Sequence, residues 1–227
     1  MKILAIDTAT EACSAALLWD GQIYERFVEQ PKVHGALILG MMDELLCHVD
    51  GKLQSLDALA FGRGPGAFTG TRIATAVAQA VGFSIGLSLV PISNLAVLAQ
   101  GLYRRRGVSN IITALDARMQ EVYIAMYEVQ DGVARIVGNE CLTRPDKFEL
   151  IGSKSWHGVG RGWATYGDIL QSHLGNQILT VTPEHLCQAQ DMLPFAISAI
   201  KNGKVVTPEN ALPVYLRNQV TTKQPGI

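Results

Sequence analysis

The chain has 227 residues, 48% hydrophobic and 17% charged, enough to bury a full core in one large domain or two small ones without disulfide or metal staples. Lys and Arg number 19 against 20 acidic residues, a net charge of −1, so no overall basic field draws the chain onto phosphate backbones and any contact with nucleic acid must be local or shared. The four cysteines, Cys13, Cys47, Cys141 and Cys187, lie far apart with no CxxC pair, which argues against a zinc site and a small disulfide scaffold.

The opening run 1–6 is too short for a signal-peptide core and no small-residue cleavage site follows, so a cytoplasmic protein is expected. Residues 2–7 read as a buried strand ending in Asp7. Residues 13–19 and 22–28 read as a hairpin turning at Asp20-Gly21, which makes a three-stranded meander. A helix is predicted over 34–49, a strand over 57–61, a helix over 71–86, a short strand over 89–91 and a helix over 94–103. Residues 73–103 contain no Asp, Glu, Lys or Arg, but Gln79, Ser84, Gly86, Ser88 and Pro91 interrupt the stretch too often for a membrane span. Helices this apolar are buried from more than one side.

The pattern then restarts. Residues 111–116 form a second apolar strand ending in Asp116, followed by a strand over 121–129, a turn at Asp131-Gly132 and a strand over 133–137. After Leu142 the second half reads as less regular, with residues 158–162 as a loop, 189–200 as its one convincing long helix, and a tail from Pro208 packed through Tyr215 and Leu216. With the boundary near Gly107, the expected units are 1–107 and 108–227. A meander followed by alternating helix and strand, made twice, is an α/β plan of two ribonuclease H-like halves, as in actin, hexokinase and Hsp70. Asp7 and Asp116 would then point into the cleft beyond the strand ends.

Three constellations carry chemistry. The run Gly62-Arg63-Gly64-Pro65-Gly66-Ala67-Phe68-Thr69-Gly70-Thr71-Arg72 joins a strand to a helix. It is either a rigid turn or an anion site at a helix N-terminus, and it is not a Walker A loop, because no Gly-Lys-Ser/Thr closes it. The next helix carries a bulky stripe, Ile73, Val77, Val81 and Ile85, beside a small one, Ala74, Ala78, Gly82 and Gly86. The bulky stripe is expected to cover the sheet. The small stripe is expected to admit another backbone, with Leu37, Met41, Met42 and Leu45 of the first helix as an adaptable surface beside it; the plainer reading is that the two helices pack on each other within one subunit. Finally, Asp7-Thr8-Ala9-Thr10 stands where kinases of this plan place a glycine-bearing phosphate turn, but has no glycine. Asp7 either orients a metal-bound water or caps nearby amides.

Other signals are plain. The five histidines never occur at i, i+4, so no metal site is expected, and no nucleophile elbow or Cys-His signature stands out. Arg104-Arg105-Arg106 ends a predicted helix, where positive charge suits the dipole.

At Gly64-Pro65-Gly66-Ala67-Phe68-Thr69-Gly70-Thr71-Arg72-Ile73 the sequence resembles the TsaB family, whose signature is Gly-Pro-Gly-Ser-Phe-Thr-Gly-x-Arg, with Ala67 in place of the usual Ser. Ile6-Asp7-Thr8, His34, Asp116-Ala117-Arg118, Glu121-Val122-Tyr123 and Pro213-Val214-Tyr215-Leu216-Arg217 match in order along nearly the whole chain. Gly35 and Gly40 depart from the family's frequent Ser and Pro.

The resemblance implies a non-catalytic paralogue of TsaD, without paired metal-binding histidines, that scaffolds or activates TsaD for threonylcarbamoyl transfer to the adenosine beside the tRNA anticodon. TsaE is the implied further partner, and tRNA is met through the complex. Pairing would use the first two helices, with Leu37, Met41, Met42, Leu45, Ala74, Ala78 and Gly82 as interface residues. A homodimer is expected when the chain is alone, with no cofactor on the single chain, ATP only at the level of the complex, and no membrane contact. The rival reading is an ATP-dependent small-molecule kinase or ATPase of the same plan, built around Asp7 and Asp116.

Overall fold

A computed structural model describes residues 1–30 and 33–217. Its first sheet is built from β1 (Ile3–Asp7), β2 (Ala12–Trp19), β3 (Gln22–Glu29), β4 (Ala58–Gly62) and β5 (Leu89–Ile92), in the order β3-β2-β1-β4-β5. The second takes β6 (Asn110–Asp116), β7 (Val122–Gln130), β8 (Val133–Thr143), β9 (Trp156–Val159) and β10 (Ile178–Thr182), in the order β10-β9-β6-β7-β8. In each sheet the three meander strands are antiparallel and the two added strands run parallel to the first. Two halves of one topology result, the ribonuclease H-like plan made twice. Both hairpins turn on an Asp-Gly pair at positive φ, 49° and 88° at Asp20-Gly21 and 50° and 76° at Asp131-Gly132, the twist that closes a two-residue loop between right-twisted strands.

Among the described residues, five helices cover these sheets: α1 (His34–His48), α2 (Phe68–Ile85), α3 (Asn94–Arg106), α4 (Arg161–Leu174) and α5 (Leu193–Lys201). On one face of the first sheet, α1 and α2 close a core through Leu4, Ile6, Leu59 and Phe61, each worth about 1.5–3 kcal/mol when fully buried. Between the two sheets lies α3, with every residue from Asn94 to Leu102 buried, so its apolar circumference is met from both sides. Ser93 caps it through a bond from Ala96 N, and Gly107 ends it in the left-handed region at φ 68°. On the outer face of the second sheet, α4 packs through Trp163, Leu170 and Leu174.

The second half is more regular than its sequence suggests. Residues 158–162, expected as a loop, complete β9 and open α4, and β10 follows. Gly162 and Gly167 weaken the helical signal, and α4 departs from helical geometry at Tyr166 (φ −124°, ψ 17°). The long helix expected over 189–200 is instead a 3₁₀ turn at Ala189–Met192 followed by α5. This segment returns to the first half: Ala189 N donates to Ser14 Oγ over 3.0 Å, Gln190 donates to Glu25, and Met192, Leu193 and Ala196 join Ile3, Ala58 and Val90 in the core between the sheets. The last ten residues of the expected tail, 218–227, lie outside the described residues.

Candidate partner face and the sealed strand ends

The small stripe of α2, expected to admit a partner, lies against the chain's own sheet. Ala74 and Ala78 are fully buried, and their small size lets the helix axis sit close on β4 and β1. Gly82 is also filled from within the chain: a Cβ there would come within 2.7 Å of Pro208 Cγ, in the 3₁₀ turn Pro208–Asn210 that crosses the helix. The bulky stripe lies at the helix flanks, with Ile73, Val77 and Ile85 half-buried and Val81 buried. On α1, Met41, Met42 and Leu45 point into the same core with Ile38 and Leu46, and Leu37 is half-buried beside it. Six of the seven residues expected to meet a partner are therefore in the chain's own interior. The reason is angular: periodicity separates the stripes of a helix, but packing against the sheet selects which one turns inward.

A third face is left outside. On α2 it carries Ala76, Ala80 and Phe83, the last 63% exposed; on α1 it carries Gly35, Ala36, Leu39 and Gly40, with Leu39 57% exposed. Arg72 is the one charged residue of α2. The outward faces adjoin where a Cβ on Gly35 would lie 3.8 Å from Ile73 Cδ1. Leu39 and Phe83 thus stand exposed among small residues that leave room for a second helix to approach. The spacing of those small residues was present in the sequence, with Ala76 and Ala80 at i, i+4 on one helix and Ala36 and Gly40 at i, i+4 on the other, but neither set announces its direction.

The glycine run before α2 is a rigid turn. Ala67 N donates to Ala9 O over 2.8 Å and Thr8 Oγ1 donates to Gly70 O over 2.6 Å, so the β1–β2 connection lies against the start of the helix. A Cβ on Gly66 or Gly70 would overlap the carbonyls of Ala9 and Thr8. The N-cap amide of Ala67 is thereby taken by the Ala9 carbonyl rather than left open to an anion.

Asp7, at the end of β1, is wholly buried. Asn94 Nδ2 donates to its Oδ1 over 2.8 Å and Ala9 N donates to the same oxygen over 3.0 Å, while Oδ2 has no donor among the described residues. Burial pushes its carboxyl above the usual range, and the Ala9 and Asn94 bonds offset part of that. Asp116, its counterpart on β6, is committed locally: Arg118 N donates to Oδ1 over 2.8 Å, the Arg118 guanidinium meets Oδ2 at 3.0 Å and the Tyr166 hydroxyl reaches Oδ1 at 3.3 Å. The glycines of residues 158–162 serve close packing as well, since a Cβ on Gly160 would come within 2.6 Å of Ala114 O and one on Gly162 within 2.7 Å of Ala114 C.

Between the halves an open groove of about 500 Å³ is lined by Arg63, Ser93, Tyr127, Glu140 and Leu216, and the Arg63–Glu140 ion pair spans it at 3.2 Å. The Tyr127 hydroxyl donates to the same glutamate at 3.1 Å. Arg104, Arg105 and Arg106 are all exposed, and Arg104 is paired at 2.6 Å with the buried Asp191. His34 is buried with Nε2 at 2.8 Å from Thr10 O. Among the described residues no three His, Cys, Asp or Glu side chains gather as a metal would require, and no helix is long and apolar enough to cross a membrane.

Comparison with known proteins adds a family. Residues 29–222 match the family described as TsaD: tRNA N6-adenosine threonylcarbamoyltransferase. The tRNA threonylcarbamoyladenosine biosynthesis protein TsaB of Escherichia coli (strain K12) is 39% identical, covering 100% of this chain and 99% of that protein. Its namesake in Haemophilus influenzae is 34% identical over 100% of this chain and 98% of its own length. Among solved structures, YeaZ from Pseudomonas aeruginosa superposes with a TM-score of 0.90 at 39% identity, covering 95% of this chain and 99% of that one.

Proposed function

Since the chain belongs to the TsaB family and so to tRNA threonylcarbamoyladenosine biosynthesis, we propose that it acts there as a non-catalytic scaffold or activator that pairs with TsaD through the outward face of α1 and α2. The observation that carries this reading is the uncharged surface of Ala36, Leu39, Gly40, Ala76, Ala80 and Phe83, which the chain itself leaves uncovered. TsaE would join the assembly and tRNA would be met through it, while the free chain would cover the same face with a second copy.

The non-catalytic part of the proposal is supported by the strand ends. Asp7 has no exposed surface, and the β1–β2 connection, where kinases of this plan place their glycine-bearing phosphate turn, has no glycine and is packed against the start of α2. A nucleotide at Asp7 would first have to displace the chain's own backbone.

The test is co-elution of the purified chain with TsaD on size exclusion, for the parent and for Leu39→Asp and Phe83→Asp. A carboxylate on the outward face should abolish co-elution, because an unpaired charge desolvated in an interface is strongly unfavourable, and should leave the folding of the single chain within about 0.5 kcal/mol of the parent. Co-elution of both variants at parental strength would show that TsaD binds elsewhere.

A further inference from the structure

After α5 and the turn at Pro208–Asn210 the chain runs on through residues 211–217 without regular secondary structure, yet Ala211, Val214, Tyr215 and Arg217 are each anchored. Gln79 of α2 donates to Ala211 O over 3.0 Å. Val214 N donates to Arg63 O over 2.8 Å, and Val214 O lies so close to Gly64 that a Cβ there would stand 2.9 Å away. Arg72 Nε donates to the Tyr215 hydroxyl over 2.9 Å, while the Arg72 guanidinium lies 3.7 Å from the Phe68 ring and the Phe68 and Tyr215 rings are 5.8 Å apart. Leu216 lines the groove between the halves. Two residues beyond Tyr215, the chain has crossed to the other half: Arg217 pairs with Glu121 at 2.7 Å and donates to Ala117 O over 3.1 Å.

The receiving element is the turn between β6 and β7, which needs such support. Arg118, Met119 and Gln120 all have positive φ, at 61°, 56° and 61°, a left-handed run of three residues with a Cβ. Within the turn it is held by Ala117 N donating to Glu121 O over 3.0 Å and Glu121 N donating to Arg118 O over 3.1 Å. Arg217 binds the two residues that flank the left-handed run.

We infer that residues 211–217 are a strap that fixes the left-handed turn of the second half to the N-terminal end of α2 in the first. The coupling is a matter of effective concentration: with Val214 and Tyr215 anchored, Arg217 is delivered to Glu121 from two residues away, and releasing the anchors dilutes it. The state of the first turn of α2 is thereby felt at Ala117 and Glu121, although among the described residues none of α2 is a hydrogen-bond partner of either. Unlike the open hinge that a substrate cleft requires, this arrangement ties the two halves across their groove, in line with the Arg63–Glu140 pair.

Hydrogen–deuterium exchange of the full chain tests it. Arg72→Met keeps the aliphatic stem but removes the bond to Tyr215 and the charge over Phe68; amides of 117–121 should then exchange about threefold faster, with β1, β2 and β3 unchanged. Arg217→Met should speed the same amides at least as much. If Arg72→Met leaves 117–121 at the parental rate while the start of α2 loosens, or if Arg217→Met has no effect there, the strap is refuted. Should Arg72→Met loosen the whole chain, Tyr215→Phe decides instead, since it deletes only the acceptor: a selective rise at 117–121 supports the strap, and no rise overturns it.

Discussion

Asn94 donates its side-chain amide to Asp7 Oδ1 across 2.8 Å, so the first residue of α3 closes the strand end of β1. The same side chain accepts from Gly64 N through its own oxygen at 2.8 Å, which ties the strand end to the glycine run as well. The Asp7 carboxyl is thereby enclosed by the chain's own groups, with no exposed surface.

The consequence is a pH dependence of stability with a defined sign. Burial raises the folded pKa of Asp7 above the ordinary value of 3.8, so the folded state keeps a proton that the unfolded chain has released. The contribution of Asp7 is most favourable below the unfolded value and declines as pH rises through the folded one. Thermal melts of Asp7→Asn and parent should therefore show the difference shift in favour of the variant as pH rises above the ordinary carboxyl range, and level off once pH has passed the raised folded value. ATP turnover by the purified parent chain that vanishes in Asp7→Asn would assign the site to the kinase reading instead.

His185 gives the opposite window. It is buried against Gly101, with Arg104, Arg105, Arg106 and Asp191 around it, and burial followed by those positive charges holds its pKa down to about 4 from 6.5. A depressed histidine is neutral when folded, so stability is intact above about 6.5 and is lost as pH falls toward about 4, by roughly 3 kcal/mol in all. Replacing it by His185→Leu should flatten the melting temperature across that interval. An unchanged slope would show that another group governs acid unfolding.

Two glycines with different duties separate backbone freedom from close approach. Gly86 ends α2 at φ 67° with open space around its Cα, so Gly86→Ala should cost about 1 kcal/mol of left-handed strain. At Gly70 a Cβ overlaps the Thr8 carbonyl, a backbone atom that cannot rotate away, and Gly70→Ala should cost more than about 3 kcal/mol or prevent folding. Urea denaturation of the two variants orders them.

Bulk on the small stripe of α2 tests the corrected orientation. Ala78→Leu and Gly82→Val overpack the core against the sheet and against Pro208, and each should lower the stability of the isolated chain by about 1–3 kcal/mol. Ala80→Leu, on the outward face, should stay within about 0.5 kcal/mol of the parent. Equal stability of Ala78→Leu and Ala80→Leu would mean that α2 is rotated from the position described.

Much of the fold was legible in the chain itself. The two meanders are announced by apolar strands that end in Asp7 and Asp116 and by Asp-Gly pairs whose positive φ permits little else, and β4, α2, β5 and α3 follow from local periodicity and punctuation. The glycine run also marked its place, because close approach of two backbones needs residues without a Cβ wherever it occurs. These are properties of neighbours in sequence. What lay beyond them was decided by residues far apart. Periodicity resolved the stripes of α2, but the sheet beneath it and Pro208 above it selected the small stripe for the interior. The burial of Asp7 depends on Asn94, 87 residues away, and the strap depends on Arg72 meeting Tyr215 across 143. In α4 the local signal was diluted by Gly162 and Gly167, and packing of Trp163 and Leu170 against the second sheet overrode it. Local chemistry specifies which elements form; which of their faces are covered is a property of the assembled chain, because burial is shared among segments that no short window contains.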